Sequence, residues 1–342
     1  MIEIKPSTAF DVECKQCQSA QTAVHSLFFQ GMHTLADASC QSCGFEFYQT
    51  LPIGHDLLFP MQIAKDGKYR FHDPRANGWL ADSLVQSIKQ PVSKSFQIEK
   101  KVNKSFDQVI IVNCLDTCFG HVFGKIWNTY TLLANKKDWG IIAIIPERCQ
   151  WLLPKELAEV WSISIDLKDC DQTIGGLDEF IKTQLSRFEK ISLSHTYTHL
   201  DHTKYIDFEK VLKRPRFDLK EFLILEPQFT FILREDRFWL NSHVLYYFFL
   251  ASRKFKMERL FKPLFIWRQM HLVNKTGRKI LKSLPHAHLK SSGLGNSGKL
   301  FSQIDDHRTD RILPETEMEW NEIYSRSHIV IGVHGSNMLI PT

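Results

Sequence analysis

The feature that most constrains the fold is the alternation of short apolar runs with helical stretches from residue 107 onward. Apolar runs bounded by turn residues are typical of buried parallel strands, whose two faces must be covered by helices. The first series predicts strands over residues 109–115, 141–145, 163–167 and 191–194. It predicts helices over residues 120–134 and 177–188, with a weaker one over 155–160. A second series begins at Phe229, so we expect an α/β fold with two Rossmann-like domains.

Four cysteines precede this region as two Cys-x2-Cys pairs, Cys14/Cys17 and Cys40/Cys43, with Gly44 after the second pair. Each pair predicts a tight turn that presents two thiolates to one tetrahedral ion, as in a zinc ribbon with structural Zn²⁺. A redox Cys-x2-Cys is the alternative, but two pairs at this separation favour a metal. Four thiolates leave no open coordination position, so this metal would stabilise the fold and perform no chemistry.

These patterns predict a division of the chain into four segments. Residues 1–52 form the zinc ribbon, and residues 53–104 form a connector with one helix over 78–88. Residues 105–225 form an N-terminal Rossmann-like domain, and residues 226–342 form a C-terminal Rossmann-like domain.

Two candidate catalytic residues, Asp116 and His121, follow the first predicted strand of the series. Ligands of parallel sheets bind where strands end, and either side chain could act there as a general base. The alternative is that Asp116 caps the next helix and His121 is packed and half-buried. Three histidines after the fourth predicted strand, at positions 195, 199 and 202, match no established zinc signature.

The second series carries candidate anion-binding residues at two places. Arg234, Arg237 and Asn241 follow its first strand, where guanidinium groups could hold a diphosphate. The alternative is surface arginines paired with their acidic neighbours. The chain then returns in a strand that runs into a turn of small residues, where backbone N–H groups would bind an anion. This turn comprises His334, Gly335, Ser336 and Asn337. An ordinary strand-to-helix turn with a packed histidine is its alternative.

Positive charge is concentrated in one region of the chain. Residues 251–290 contain eleven Lys or Arg and one acidic residue, which gives this region a charge of +10. The rest of the chain carries −5, so the net charge of the whole chain is +5. This region could contact anionic lipid, a polyanionic acceptor, nucleic acid or nucleotide phosphates, or could simply be a solvated helix face. Residues 1–10 lack the features of a signal peptide, so a cytoplasmic protein with reduced cysteines is expected. Contact of the basic region with anionic lipid would place it peripherally at the inner face of the membrane.

Three of these motifs together resemble the family 61 type glycosyltransferases. They are Phe-Gly-His at residues 119–121, Ile-Leu-Arg-x2-Arg-x3-Asn at residues 232–241, and Val-Ile-Gly-Val-His-Gly-Ser-Asn at residues 330–337. The resemblance covers about residues 107–342. The usual family form of the last motif is closer to His-Gly-Ala-Gly-Leu-Thr-Asn, from which Ser336 and Asn337 depart.

The resemblance implies a GT-B architecture and transfer of a sugar from a nucleotide-sugar donor to a hydroxyl acceptor, a glycan or polysaccharide precursor, without a required metal. Arg234, Arg237, Asn241 and residues 334–337 would hold the donor diphosphate, and the acceptor would enter near Asp116 and His121. A complete second domain would need roughly fifty further residues after Thr342, so a C-terminally truncated fragment is expected.

Two other functions fit parts of the sequence. In the first, the zinc ribbon and the basic region form a scaffold that binds an anionic partner through a degenerate enzyme fold. In the second, the chain is a zinc-ribbon methyltransferase. That enzyme would need a Gly-rich turn after its first strand, and residues 113–121 contain only Gly120.

Overall fold

The computed structural model describes residues 1–342 except residues 9, 69, 92–95, 199–206, 334–337, 339, 341 and 342. It confirms a mixed α/β fold built on several sheets. The chain divides into two compact units, Met1–Ile206 and Asp207–Thr342. The unit boundary therefore lies before residue 207, whereas the sequence pattern places a domain boundary after residue 225.

The first unit contains two sheets and three described α-helices. Its strands are β1 (Ile2–Lys5), β2 (Thr22–Phe29), β3 (Thr34–Cys40), β4 (Glu46–Thr50), β5 (Gln62–Ala64), β6 (Arg70–Phe71), β7 (Ile98–Val102), β8 (Gln108–Asn113), β9 (Gly140–Pro146), β10 (Glu159–Ile163) and β11 (Lys190–Leu193). Its helices are α1 (Ala81–Lys89), α2 (Phe119–Asn135) and α3 (Leu177–Leu185).

A six-stranded sheet forms the centre of this unit, in the order β1-β11-β8-β9-β10-β7. The four central strands are parallel, and β1 and β7 pair antiparallel at the two edges. Every residue of β9 is buried, which explains the continuous apolar run that predicts this strand.

The third parallel strand along the chain, β10, differs from its prediction. It spans Glu159–Ile163, so both the strand predicted over residues 163–167 and the helix predicted over residues 155–160 are wrong. The charged residue Glu159 at the start of this strand is not typical of a buried strand, so the sequence pattern does not predict one there. Its carboxylate is buried because Arg187 binds it at 2.8 and 2.7 Å and the indole N–H of Trp161 donates to it at 2.8 Å.

The second sheet of this unit is an antiparallel meander, β2 to β6 in chain order. It contains strands from both the predicted zinc ribbon and the predicted connector, and the connector also supplies β7 to the six-stranded sheet. Side chains from the two sheets share one apolar core, in which Leu35 and Leu51 lie with Ile142 and Trp161.

The second unit contains one parallel sheet. Its strands are β12 (Gln228–Arg234), β13 (His288–Leu294), β14 (Ile304–Asp306) and β15 (Ile329–Gly332), and its described α-helices are α4 (Phe208–Leu212), α5 (His243–Lys254), α6 (Glu258–Ser283) and α7 (Pro314–Ser325). The strand order is β14-β13-β12-β15.

The parallel strands of both units follow the same order. Numbered along the chain, they run 3-2-1-4 across each sheet, as β10-β9-β8-β11 in the first unit and β14-β13-β12-β15 in the second. In sheets of this kind, ligands bind at the carboxyl edge where the strand order reverses. That position lies between β8 and β11 in the first unit and between β12 and β15 in the second.

No helix among the described residues is both long enough and apolar enough to cross a bilayer. The longest one, α6, carries basic residues throughout its length.

The packing of the four-stranded sheet in the second unit predicts at which positions an alanine substitution is tolerated. Phe231 is fully buried at the centre of β12, whereas Ile329 on the neighbouring β15 is largely exposed. Phe231→Ala should lower the free energy of unfolding by about 3–5 kcal/mol, because it leaves a cavity in the core. Ile329→Ala should change it by about 0.5 kcal/mol or less. Urea denaturation of the two variants measures the difference, and equal losses would contradict this description of the sheet.

Candidate functional site

The four predicted metal ligands lie together at one end of the five-stranded sheet. The Sγ atoms of Cys14 and Cys43 are 3.8 Å apart, and those of Cys17 and Cys40 are 3.5 Å apart. All four sulfur atoms lie within 4.8 Å of one another. A tetrahedral ion with bonds of about 2.3 Å to four thiolates requires sulfur separations of about 3.8 Å. The cluster could therefore hold a metal ion.

The backbone forms a tight turn at each Cys-x2-Cys pair. Gln18 N donates to Cys14 O at 2.7 Å and Gly44 N donates to Cys40 O at 2.9 Å, which closes one tight turn after each pair. Gly44 has a φ of +71°, which glycine adopts without strain. Burial acts to raise the pKa of Cys40, but backbone N–H groups of Cys43 and Ser42 outweigh it and lower the pKa to about 6. In the same cluster, burial raises the pKa of Cys14. The backbone N–H of Ser19 acts to lower the pKa of Cys17, but the hydrogen bond with Cys43 and burial outweigh it and raise the pKa to about 12.

A second cluster of polar side chains lies at the carboxyl edge of the six-stranded sheet, where the strand order reverses. Asp116 follows β8, and His121 and Lys125 lie one turn apart on α2. His55 comes from a 3₁₀ helix, Gly54–Leu57, in the loop after β4 of the other sheet. The structure thus brings together both predicted catalytic residues and adds two that the sequence pattern does not indicate.

The contacts in this cluster converge on the Asp116 carboxylate. Lys125 Nζ lies 2.9 Å from Asp116 Oδ2, His55 Nε2 lies 3.2 Å from the same oxygen, and His121 Nδ1 lies 3.0 Å from Oδ1. The two imidazoles also meet, with 3.1 Å between His55 Nε2 and His121 Nδ1. The side chains of Asp116 and Lys125 are each 1% exposed, whereas that of His121 is 28% exposed. The cluster is therefore a buried ion pair that ends at a partly accessible histidine.

Asp116 is held in its ionised form. Burial acts to raise its pKa, but the Lys125 ammonium and the hydrogen bonds from His121 and His55 outweigh burial and hold the pKa well below the ordinary value for an aspartate. Lys125 is fixed in place by a second contact, a hydrogen bond of 2.6 Å to Leu115 O. Because these additional hydrogen bonds hold both charged groups, the buried ion pair has one defined geometry.

This geometry assigns different roles to the two predicted catalytic residues. An ionised Asp116 accepts a hydrogen bond from Nδ1–H of His121, which fixes the neutral imidazole in the tautomer whose Nε2 can take up a proton. His121 is then the group that can act as a base, and Asp116 positions it and stabilises its charged form. Asp116 also accepts from Cys118 N at 3.2 Å, but this donor precedes the helix, which has no side-chain cap hydrogen bond.

The same cluster has a ligand set that could hold a metal ion, formed by His55, Asp116 and His121. The ammonium group of Lys125 lies on the same carboxylate, at 2.9 Å from Oδ2. A divalent cation would have to sit close to this positive charge, so the arrangement favours proton transfer over metal binding.

His55 and Lys125 leave only weak signals in the sequence. Lys125 is a charged residue inside the apolar stretch of α2, and Gly54 precedes His55. A Cβ atom at Gly54, which has a φ of +61°, would lie 3.0 Å from Lys125 Cε, so the close approach of the loop requires glycine. His195 holds this loop, because its Nδ1 contacts Pro52 O at 2.9 Å and its carbonyl accepts from Gly54 N at 2.8 Å. The other histidines of that run, at positions 199 and 202, lie outside the described residues.

In the second unit, the predicted diphosphate-binding residues follow β12. Arg234 Nε donates to Asp236 Oδ1 at 2.7 Å, which is the pairing expected if the arginine were only a surface residue. Asn241 Oδ1 accepts from Arg268 at 2.6 Å. Arg237 follows the end of the same strand. Residues 334–337, the predicted anion-binding turn, lie outside the described residues, and the strand before them ends at Gly332 beside β12.

A cavity of ≈ 680 Å³ opens at the carboxyl ends of β12 and β13. Four acidic residues line it, Glu235, Asp236, Glu258 and Asp310, together with Leu294 and Gly295. Four basic residues line it as well: Arg253, Lys256, Arg259 and Lys262. It lies beside β13, on the opposite side of β12 from the point between β12 and β15 where the strand order reverses.

Comparisons with known proteins leave the family of the chain open. No protein-family model, curated protein or solved structure matches it. The likeness to family 61 type glycosyltransferases therefore stays a prediction based on short motifs.

The buried ion pair predicts non-additive effects of substitution. Asp116→Asn should lower the free energy of unfolding by about 3–5 kcal/mol at neutral pH, because it leaves the Lys125 ammonium buried without a counter-charge. Lys125→Met should be similarly destabilising, and the double variant should lose less than the sum of the two. Urea denaturation measures this cycle, with the exposed Asp166→Asn as the control. Additive losses would show that the two groups do not interact.

The depressed pKa of Asp116 predicts the pH dependence of its contribution to stability. A carboxyl group whose pKa is lower in the folded chain stabilises the fold fully above the unfolded value of about 3.9. That contribution disappears as the pH falls through the folded-state pKa. The difference in unfolding free energy between the wild type and Asp116→Asn should therefore be constant near neutral pH and shrink in acid. A difference that grows in acid would contradict the assignment.

Proposed function

We propose that the chain is a glycosyltransferase of the GT-B type, which moves a sugar from a nucleoside-diphosphate donor to a hydroxyl acceptor without a catalytic metal. The observation that carries the proposal is the parallel pairing of β12 with β15. Ile232 lies opposite Gly332, so the two strands end on the same edge of the sheet. Arg234 ends one strand and Arg237 follows it, and the motif His-Gly-Ser-Asn follows the other strand in the sequence.

The leaving diphosphate requires positive charge that is already in place when the glycosidic bond breaks. Guanidinium groups supply this charge with two parallel hydrogen bonds, and backbone N–H groups at the start of a helix add more. The present partner of Arg234 does not prevent this role. The side chain of Asp236 is 54% exposed, and an ion pair of this kind stabilises a protein by only about 0–1 kcal/mol, so a diphosphate can replace it.

The acceptor hydroxyl must lose a proton as it attacks the sugar. We assign this proton to Nε2 of His121, because Nδ1 is bonded to the ionised Asp116. The carboxylate stabilises the imidazolium that forms, and Lys125 keeps the carboxylate charged throughout. His55 contacts the same carboxylate and completes the support of His121.

We propose structural Zn²⁺ for the four-cysteine cluster. All four coordination positions are filled by thiolates, so the ion would have no open position for substrate. Cys40 ends β3 and Cys43 precedes β4, and the loop after β4 contains His55. The ion would therefore fix the strands from which His55 is positioned.

A donor screen tests the proposal. The melting temperature of the protein is measured with uridine, guanosine, cytidine and adenosine diphosphates, because a ligand that binds only the folded state raises it. One nucleotide should give a shift, and Arg234→Ala should abolish that shift while leaving the unliganded melting temperature unchanged. Arg326→Ala is the matched control, since Arg326 is an exposed arginine that precedes the amino end of β15.

The same screen distinguishes the transferase function from the scaffold function. If no nucleoside diphosphate shifts melting and the protein binds a polyanion with a steep dependence on salt, the scaffold function is correct and the transferase proposal fails. A shift that Arg326→Ala abolishes and Arg234→Ala retains would reject the assignment of the donor site.

Metal content tests the zinc assignment. The purified protein should contain about one zinc ion per chain, and Cys40→Ser should lose it together with much of its stability, because metal binding and folding are coupled. Cys118→Ser is the control, since Cys118 lies outside the cluster and precedes α2, where serine is well tolerated. A metal-free protein in which these cysteines form disulfides would support the redox alternative.

A further inference from the structure

The helical hairpin of the second unit exposes an unusual combination of side chains. Helices α5 and α6 pack through aromatic residues: Phe248 lies 4.7 Å from Phe261 and 5.7 Å from Phe265 between ring centroids. Large apolar side chains that take no part in this packing point away from it. They are Val244, Tyr247 and Leu250 on α5 and Leu260, Leu264 and Trp267 on α6. Leu260 is 69% exposed and Trp267 is 61% exposed.

The exposed residues of α6 form one stripe that changes character along the helix. Leu260, Leu264 and Trp267 are followed at spacings of three, four or seven by His271, Lys275 and Lys282, all of them exposed. Such spacings place side chains on one face of a helix. The stripe is therefore apolar in its first turns and basic in its last turns.

The positive charge of this stripe is not neutralised within the described part of the chain. Lys275, Lys279 and Lys282 have no acidic partner among the described residues. Residues 251–290 contain only one acidic residue, Glu258, which lies at the opposite end of α6 and pairs with Arg253. The basic half of the stripe therefore faces solvent with its full charge.

We propose that α5 and α6 form a docking surface for a bilayer that contains anionic lipid. The exposed leucine, valine and tryptophan side chains enter the boundary between headgroups and acyl chains, and the lysines contact the headgroup phosphates. No membrane-spanning segment is needed, since the helix lies on the surface.

Charge and chemistry favour this partner over two others. Nucleic acid would use the lysines, but exposed aliphatic side chains such as Val244, Leu250 and Leu260 gain nothing from a phosphate backbone. A second copy of the chain would cover the apolar residues, but a symmetric contact would bring two strongly basic faces together. A bilayer with anionic lipid satisfies both halves of the stripe. This inference does not depend on the proposed sugar transfer.

Sedimentation with vesicles tests the docking surface. The protein should sediment with vesicles of phosphatidylcholine mixed with phosphatidylglycerol, and much less with vesicles of phosphatidylcholine alone. The triple variant Lys275→Glu, Lys279→Glu, Lys282→Glu should bind at least about tenfold more weakly, because each basic residue near an anionic surface strengthens binding about fivefold. The double variant Leu264→Ser, Trp267→Ala should also bind more weakly, at unchanged charge.

The matched control is Lys68→Glu, Lys137→Glu, Lys168→Glu, which makes the same change in net charge at exposed positions of the first unit. This control should bind as the wild type does. The proposal is overturned if the wild type does not prefer anionic vesicles, or if the control loses as much binding as the α6 charge variant. It is also overturned if the protein binds RNA but not vesicles and the apolar variant binds RNA as the wild type does. A dimer that forms through this face, and that Trp267→Ala dissociates, would overturn it as well.

Discussion

Both units depend on one constraint: the first parallel strand along the chain pairs with a parallel strand on each of its two sides. In the first unit this strand is β8, between β9 and β11, and in the second unit it is β12, between β13 and β15. Because the chain leaves these neighbouring strands in opposite directions, a crevice forms at their carboxyl ends. Asp116 follows β8 and Arg234 ends β12, so each unit presents its most distinctive charged residue at the same place in the sheet.

The crevice of the first unit contains a carboxylate that the rest of the unit must neutralise. A buried charge is expensive unless it is paired and hydrogen-bonded, and Asp116 has three partners from two different parts of the chain. His121 and Lys125 come from the helix that follows the same strand, whereas His55 comes from the other sheet. The carboxylate therefore connects the parallel sheet to the sheet that carries the four cysteines, and the two cannot be described as independent modules.

The second unit separates its charges by helix face. Arg259 and Lys262 of α6 line the cavity at the carboxyl edge, beside Glu235 and Asp236. The next residues around the helix form the apolar and basic stripe that faces solvent. A net charge of +5 for the whole chain conceals this arrangement, because acidic residues elsewhere cancel half of the local excess.

The sequence by itself determined the α/β class, most strands, and the grouping of the four cysteines. It also placed Asp116 and His121 near each other. All of these follow from local patterns, since strand burial, Cys-x2-Cys turns and the start of a helix involve residues that are close along the chain. Only the tertiary structure decided that Glu159 lies in a buried strand and that His55 and Lys125 join Asp116. The physical reason is that a buried charge takes its partner from whichever segment packs against it, and that choice is fixed by sheet order and loop docking rather than by neighbouring residues.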